Sequence, residues 1–284
     1  MISYFHGHLE KTLMMLRRLI ILLLPLGLVA CSGIPSVDER KIHANHLAAA
    51  QHWQPLRIPA KNFNLMAYLP GDEVEGDVLT LYLEGDGFAW VNRSQPSANP
   101  TPLNPLALRL ALAQKYGNAA YLARPCQYID AADEACYQRY WTDARFAQEV
   151  IDATDIAIDT LKQHFNASEL ILVGYSGGAA VAALVAARRT DVVHLITVAG
   201  NLDHLAWTAH HRVRPLSASL NPADVALVLA DLPQTHFIGG LDQIIPLQLA
   251  QRWPVAFRGI NDTNLRILPM ADHACCWVPL PSEI

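Results

Sequence analysis

Short continuous apolar runs alternate along this chain with longer segments whose apolar residues recur every three or four positions. The short runs read as strands buried on both faces, and the longer period reads as helices laid over them. Strands are expected over 63–69, 77–83, 119–124, 170–173, 192–199, 235–239 and 265–268, the first two joined by a Pro70-Gly71 turn and an acidic loop. Asn104-Pro105 supplies a side-chain cap and a proline for a helix that Gly117 closes. Thr142 is expected to cap a longer helix, with Phe146, Val150, Ala153, Ala157 and Leu161 at helical spacing. Its Glu149, Asp152, Asp155 and Asp159 read as a solvated side. An Ala/Val/Leu-rich helix follows the 170–173 strand and ends on Arg188 and Arg189. This alternation predicts an α/β fold with a mostly parallel central sheet and helices on both faces. Residues 200–234 interrupt the alternation. Residues 36–54 are polar, carry His43, His46 and His52, and read as a tether; those histidines match no metal-ligand spacing.

Composition narrows the picture. At 284 residues the chain can bury a large core, and one domain over 57–284 is the natural division. A net charge of −5 with no basic run argues against a nucleic-acid partner. Arg17 and Arg18 precede an apolar run over 19–29, interrupted by Pro25 and Gly27. A membrane-spanning helix needs about 20 apolar residues, so this run reads as a signal peptide over 1–30. Met14 and Met15 are alternative starts. The run ends Leu28-Val29-Ala30-Cys31, which resembles a bacterial lipobox. That resemblance implies diacylglycerol on the Cys31 sulfur, a lipidated N-terminus and tether over 31–56, and a membrane partner through the anchor. Ser32 after the cysteine points to the periplasmic face of an outer membrane.

The chemistry centres on residues 169–189, where Gly174-Tyr175-Ser176-Gly177-Gly178 joins the apolar strand to the small-residue helix. A G-x-S-x-G between strand and helix resembles the nucleophile elbow of the α/β-hydrolase family. Small residues two before and two after the serine let strand and helix approach closely, and the helix N-terminus favours developing negative charge. Further on, Asp242 follows the 235–239 strand and His273 follows the 265–268 strand. Ser…Asp…His is the chain order of that family, so the resemblance implies a triad of Ser176, Asp242 and His273. Asp203 is a rival acid. The loop after the 77–83 strand implies an oxyanion hole in which Asp86 or Gly87 supplies one backbone N–H and Gly177 the other. Glu84 and Asp86 stand where the family usually has His-Gly. A bare carboxylate there opposes an oxyanion, so these side chains are expected to point away or to pair with a cation, Arg124 being the candidate.

Residues 200–234 stand where that family usually carries a cap over the pocket, so the resemblance implies a short cap there. The family fold usually ends in a helix after the histidine, where this chain has only residues 274–284. Beyond Cys31 four cysteines remain, for which an oxidising compartment allows three pairings. Cys126 with Cys136 is the expected bridge; Cys275 and Cys276 are open to a vicinal disulfide, free thiols or partners elsewhere. Phe88, Trp90, Trp141, Trp207 and Trp277 are candidates for either pocket or core. The expectation is a lipid-anchored serine hydrolase of the cell envelope acting on a small-molecule ester, thioester or related acyl bond. No metal or organic cofactor is implied. A peptidase or acyltransferase shares the same parts, and a catalytically silent envelope lipoprotein is the rival from another class.

Overall fold

A computed structural model describes residues 33–72, 76–129, 136–255 and 263–278. The chain divides into Met1–Pro35 and Ser36–Ile284, and the fold below is that of the second unit. Cys31 and the apolar run before it lie outside the described residues.

The elements alternate as the apolar pattern predicts. They are α1 (Val37–Ala49), β1 (Trp53–Ala60), β2 (Phe63–Pro70), β3 (Val78–Leu83), α2 (Leu106–Ala113) and β4 (Asn118–Leu122). A 3₁₀ turn (Gln138–Trp141) precedes α3 (Gln148–His164), β5 (Glu169–Tyr175), α4 (Gly177–Ala186), β6 (Val192–Val198) and α5 (His204–His211). A second 3₁₀ segment (Pro222–Leu229) leads to β7 (Gln234–Gly239), α6 (Leu247–Ala250), α7 (Arg252–Val255) and β8 (Thr263–Leu268). The strands form one eight-stranded sheet in the order β1-β2-β4-β3-β5-β6-β7-β8. From β4 to β8 every pairing is parallel; β2 runs antiparallel to both β1 and β4.

Each face of the sheet carries its own core. Residues of α3, α4 and the 216–230 segment bury one face, with Phe146, Ile158, Leu172, Leu184 and Leu229 among them. Residues of α1 and α2 bury the other, together with Tyr68, Tyr121, Phe237 and Trp277. Helix α4 is buried along its whole length, which its Ala/Val/Leu composition allows and a polar face would forbid.

Four expectations change. Residues 36–54 are not a tether. Ser36 caps α1 in a capping box with Glu39, Arg40, Ala44 and Ala48 are buried, and β1 begins at Trp53. Helix α1 carries its burial on small alanines and one arginine, so hydrophobic patterning misses it. Helix α2 takes no cap from Asn104; Pro105 holds the cap position without a side-chain hydrogen bond. Thr142 ends the 3₁₀ turn, and α3 starts after Ala147. Of the candidate cap, Leu216, Ala226 and Leu229 join the core beside α4, which leaves α5 as its outlying part.

Candidate active site

The loops that leave the carboxyl ends of parallel strands share one edge of the sheet, where sites of open α/β folds assemble. Ser176 stands between β5 and α4 at φ 51° and ψ −116°, a conformation unfavourable to a residue with a Cβ. Its N–H donates to the Val198 carbonyl, and its carbonyl accepts from Ala179 and Asn201. A Cβ on Gly174 would clash with Ala179, and one on Gly178 with the carbonyls of Leu83 and Glu84. Helix α4 can therefore press against β5 and the end of β3, which lifts the serine side chain off the sheet.

His273 meets the serine from the loop after β8. Its Nε2 lies 3.0 Å from Ser176 Oγ, and its Nδ1 lies 2.9 Å from Asp242 Oδ2. The other oxygen of Asp242 accepts from the N–H groups of Ile244 and Ile245 at 2.7 and 2.8 Å. With Oδ1 occupied by backbone donors, Oδ2 is left to accept from Nδ1–H, and Nε2 then presents its lone pair to the serine. The structure thus brings Ser176, Asp242 and His273 into one line. The rival Asp203 is elsewhere: it caps α5 by accepting from Ala206 N–H, and its carboxylate also accepts from Asn221. Asp272 turns its carboxylate to the N–H groups of Ala274 and Cys275.

Neighbours fix the histidine from behind. Tyr175 donates to the His273 carbonyl at 2.9 Å and lays its ring 5.4 Å from the imidazole. Trp277, fully buried, donates to the same carbonyl at 3.2 Å. The acid loop is held likewise, because Ile244 O accepts from Trp207 Nε1 at 2.9 Å and lies 2.8 Å from His211 Nε2. Trp141 is buried, Trp90 packs against the core, and Phe88 lies under the Arg40 guanidinium.

The oxyanion segment carries its own electrostatics. Asp86 places its carboxylate beside Gly177, in space that a Cβ on Gly177 would take. Arg124 and Arg145, both buried, each donate to one of its oxygens. Burial pushes the Asp86 carboxyl up, but Arg145 and Arg124 outweigh it and leave it below the ordinary carboxylate range. Arg124 is lowered by burial to about 10 and stays charged at neutral pH. The expected cation is therefore present, and Arg145 is a second one that sequence reading missed.

Glu84 behaves differently. It is buried without an arginine in hydrogen-bond contact, and burial raises it to about 7. Gly85 N–H and the Tyr121 hydroxyl donate to it at 2.9 and 3.2 Å. The N–H groups of Ala107 and Leu108, at the start of α2, also favour its ionised form. Glu84 thus faces the start of α2, where unpaired N–H groups favour negative charge.

Cys126 is bridged to Cys136, and Cys275 to Cys276. Gln127, next to the first bridge, donates to the Gly85 carbonyl at 2.9 Å and accepts from Arg124 N–H at 3.0 Å. Among the described residues no cluster of His, Cys, Asp or Glu is arranged to hold a metal ion.

No family model matches the sequence, and no curated protein matches it. Solved structures do. An alpha-beta serine hydrolase homologue from Coxiella burnetii is 15% identical, with 78% of this chain and 89% of that one covered at a TM-score of 0.53. An esterase from Pyrococcus furiosus is 14% identical over 78% of this chain and 83% of its own, at 0.54. An acylaminoacyl peptidase from Pyrococcus horikoshii is 10% identical over 78% and 38%, also at 0.54. At such identities the likeness is one of fold, and together with the mostly parallel eight-stranded sheet it makes this an α/β-hydrolase fold.

Proposed function

We propose that this protein is a serine hydrolase that cleaves an ester, thioester or related acyl bond through an acyl-enzyme. The observation that carries the reading is the unbroken line from Ser176 Oγ through the His273 imidazole to an Asp242 carboxylate whose other oxygen is bound by backbone N–H groups. His273 Nε2 takes the Ser176 proton as Oγ adds to the acyl carbonyl. Asp242 stabilises the imidazolium that forms. Gly177 N–H, at the unpaired start of α4, and the N–H of Asp86 or Gly87 receive the oxyanion. His273 then protonates the departing alcohol, thiol or amine, and a water, deprotonated by the same imidazole, releases the acid. The two arginines on Asp86 keep its charge from opposing the oxyanion.

Neighbours in fold include an esterase and an acylaminoacyl peptidase, both named for acting on acyl bonds, and this supports the bond class rather than a substrate. We also propose that Cys31 carries a lipid anchor that holds the protein in a bacterial cell envelope, on the strength of the 28–31 sequence. Ser176→Ala should abolish hydrolysis of p-nitrophenyl acyl esters while leaving the melting temperature nearly unchanged. Near-wild-type turnover in that variant would remove the serine from the mechanism. Acyl mass on the Cys31 peptide tests the anchor; a mature N-terminus beyond residue 31 without it refutes the anchor.

A further inference from the structure

The first turn of α1 lies at the same edge of the sheet as Ser176. Arg40 donates to the carbonyls of Asn99 and Thr101, and its guanidinium lies 5.4 Å over the Phe88 ring. Phe88 is the residue after Gly87 in the oxyanion segment. The far end of α1 reaches the opposite edge, where the His52 carbonyl accepts from Gly71 N–H just beyond β2. Ser36, which opens the fold, therefore opens it at the active-site edge. In the sequence five steps separate Ser36 from Cys31, and a chain of that length spans at most about 18 Å.

That edge exposes apolar side chains among its polar ones. Val91, Leu103, Leu205, Leu241 and Met270 are all exposed, Met270 at 75%, on the segments that follow β3, β6, β7 and β8 at their carboxyl ends, Leu205 within α5. The loops are tied together: Arg93 donates to the His211 carbonyl at 3.0 Å, and His211 contacts Ile244 of the acid loop. Arg93, Arg212 and Arg214, exposed on the segments after β3 and β6, add positive charge that suits anionic headgroups, against the exposed Asp272 after β8. Single exposed apolar residues need no explanation, but several on segments that all leave the sheet at the edge of a reactive serine suit a surface contact. Among the described residues no helix is long and apolar enough to cross a membrane.

We infer that the active-site edge docks on a lipid surface, held there by the short link to Cys31, and that the acyl substrate is an amphiphile taken from that surface. The docking rests on the rim, on the place of Ser36 and on the proposed anchor at Cys31, and the substrate class rests in addition on the hydrolase reading.

Tryptophan quenching tests the orientation without any use of catalysis. Met270→Trp puts a reporter on the rim, and Tyr116→Trp puts one before β4 at the opposite edge, where Tyr116 is 85% exposed. Full-length lipidated protein bearing either change is reconstituted into vesicles of phosphatidylethanolamine and phosphatidylglycerol, with and without brominated acyl chains. Relative to wild type, extra quenching is expected for Met270→Trp and none for Tyr116→Trp. Equal quenching of both, quenching of Tyr116→Trp alone, or none in protein that floats with the vesicles would overturn the inference. In a second measurement, Leu103→Glu/Leu205→Glu should lower hydrolysis of a vesicle-borne acyl lipid by about tenfold while sparing a soluble short-chain ester. Equal loss on both substrates would count against docking. Absence of hydrolysis of either substrate by wild type would instead remove the hydrolase reading, and the quenching result would stand by itself.

Discussion

Gly177 shows how one residue couples the elbow to its electrostatics. The position needs an N–H for the oxyanion and room for the Asp86 carboxylate, and only glycine leaves both. Gly177→Val should evict Asp86 from between Arg124 and Arg145, lower turnover by about a hundredfold or more and cost about 1–3 kcal/mol of stability through overpacking. Steady-state kinetics beside thermal melting would check it; unchanged kinetics would mean that Asp86 has no part in the oxyanion segment. The two aspartates that compete for the acid role separate in the same way. Asp242→Asn should lower kcat by about ten-thousandfold through loss of the correct tautomer. Asp203→Ala should keep turnover and lose about 1 kcal/mol as a helix cap. A crippled Asp203→Ala with an active Asp242→Asn would reverse the assignment. These residues are legible in the chain because each follows a recognisable strand. Arg145 is not: the spacing placed it in the first turn of a helix capped by Thr142, whereas it lies in the turns before α3 and meets Asp86 across 59 positions.

At the scale of elements, the loop after β4 and the start of α2 converge on the oxyanion segment. The Cys126–Cys136 bridge closes ten residues, and its loss should cost about 3 kcal/mol in the chain-entropy model. Gln127 and Arg124, which flank Cys126, bond the Gly85 carbonyl and the Asp86 carboxylate, so Cys126→Ser/Cys136→Ser should lower turnover as well as the melting temperature. A variant that melts lower but turns over at the wild-type rate would leave the bridge with stability alone. Glu84 makes a pH prediction. Its folded pKa is raised from the ordinary 4.5 to about 7, so its contribution is complete below about 4.5 and is lost as pH rises through 7. Glu84→Gln should remove that slope, so its melting temperature should fall less than wild type's between those pH values. Parallel profiles would contradict a Glu84 carboxyl raised by burial. The sequence placed carboxylates here and expected them to turn from the oxyanion. That Glu84 would face the start of α2 was hidden, since Asn104-Pro105 offers a nearer cap on paper.

Over the whole molecule, strand–helix alternation and the order Ser…Asp…His sufficed for the α/β architecture, because both faces of a parallel sheet must be apolar and its loops must gather at one edge. What lay beyond reach was the first layer. Helix α1 buries alanines and an arginine rather than leucines, and β1 carries two prolines at an outer edge, so neither bears an apolar signature. The central claim is that Ser176, activated by His273, is the nucleophile. Its most direct measurement is labelling of full-length protein by a fluorophosphonate, followed by peptide mapping and by the labelling rate in variants. The account predicts a single adduct on Ser176, none in Ser176→Ala, and labelling slowed by about a thousandfold or more in His273→Ala. An adduct on any other residue, or undiminished labelling of Ser176→Ala, would contradict it.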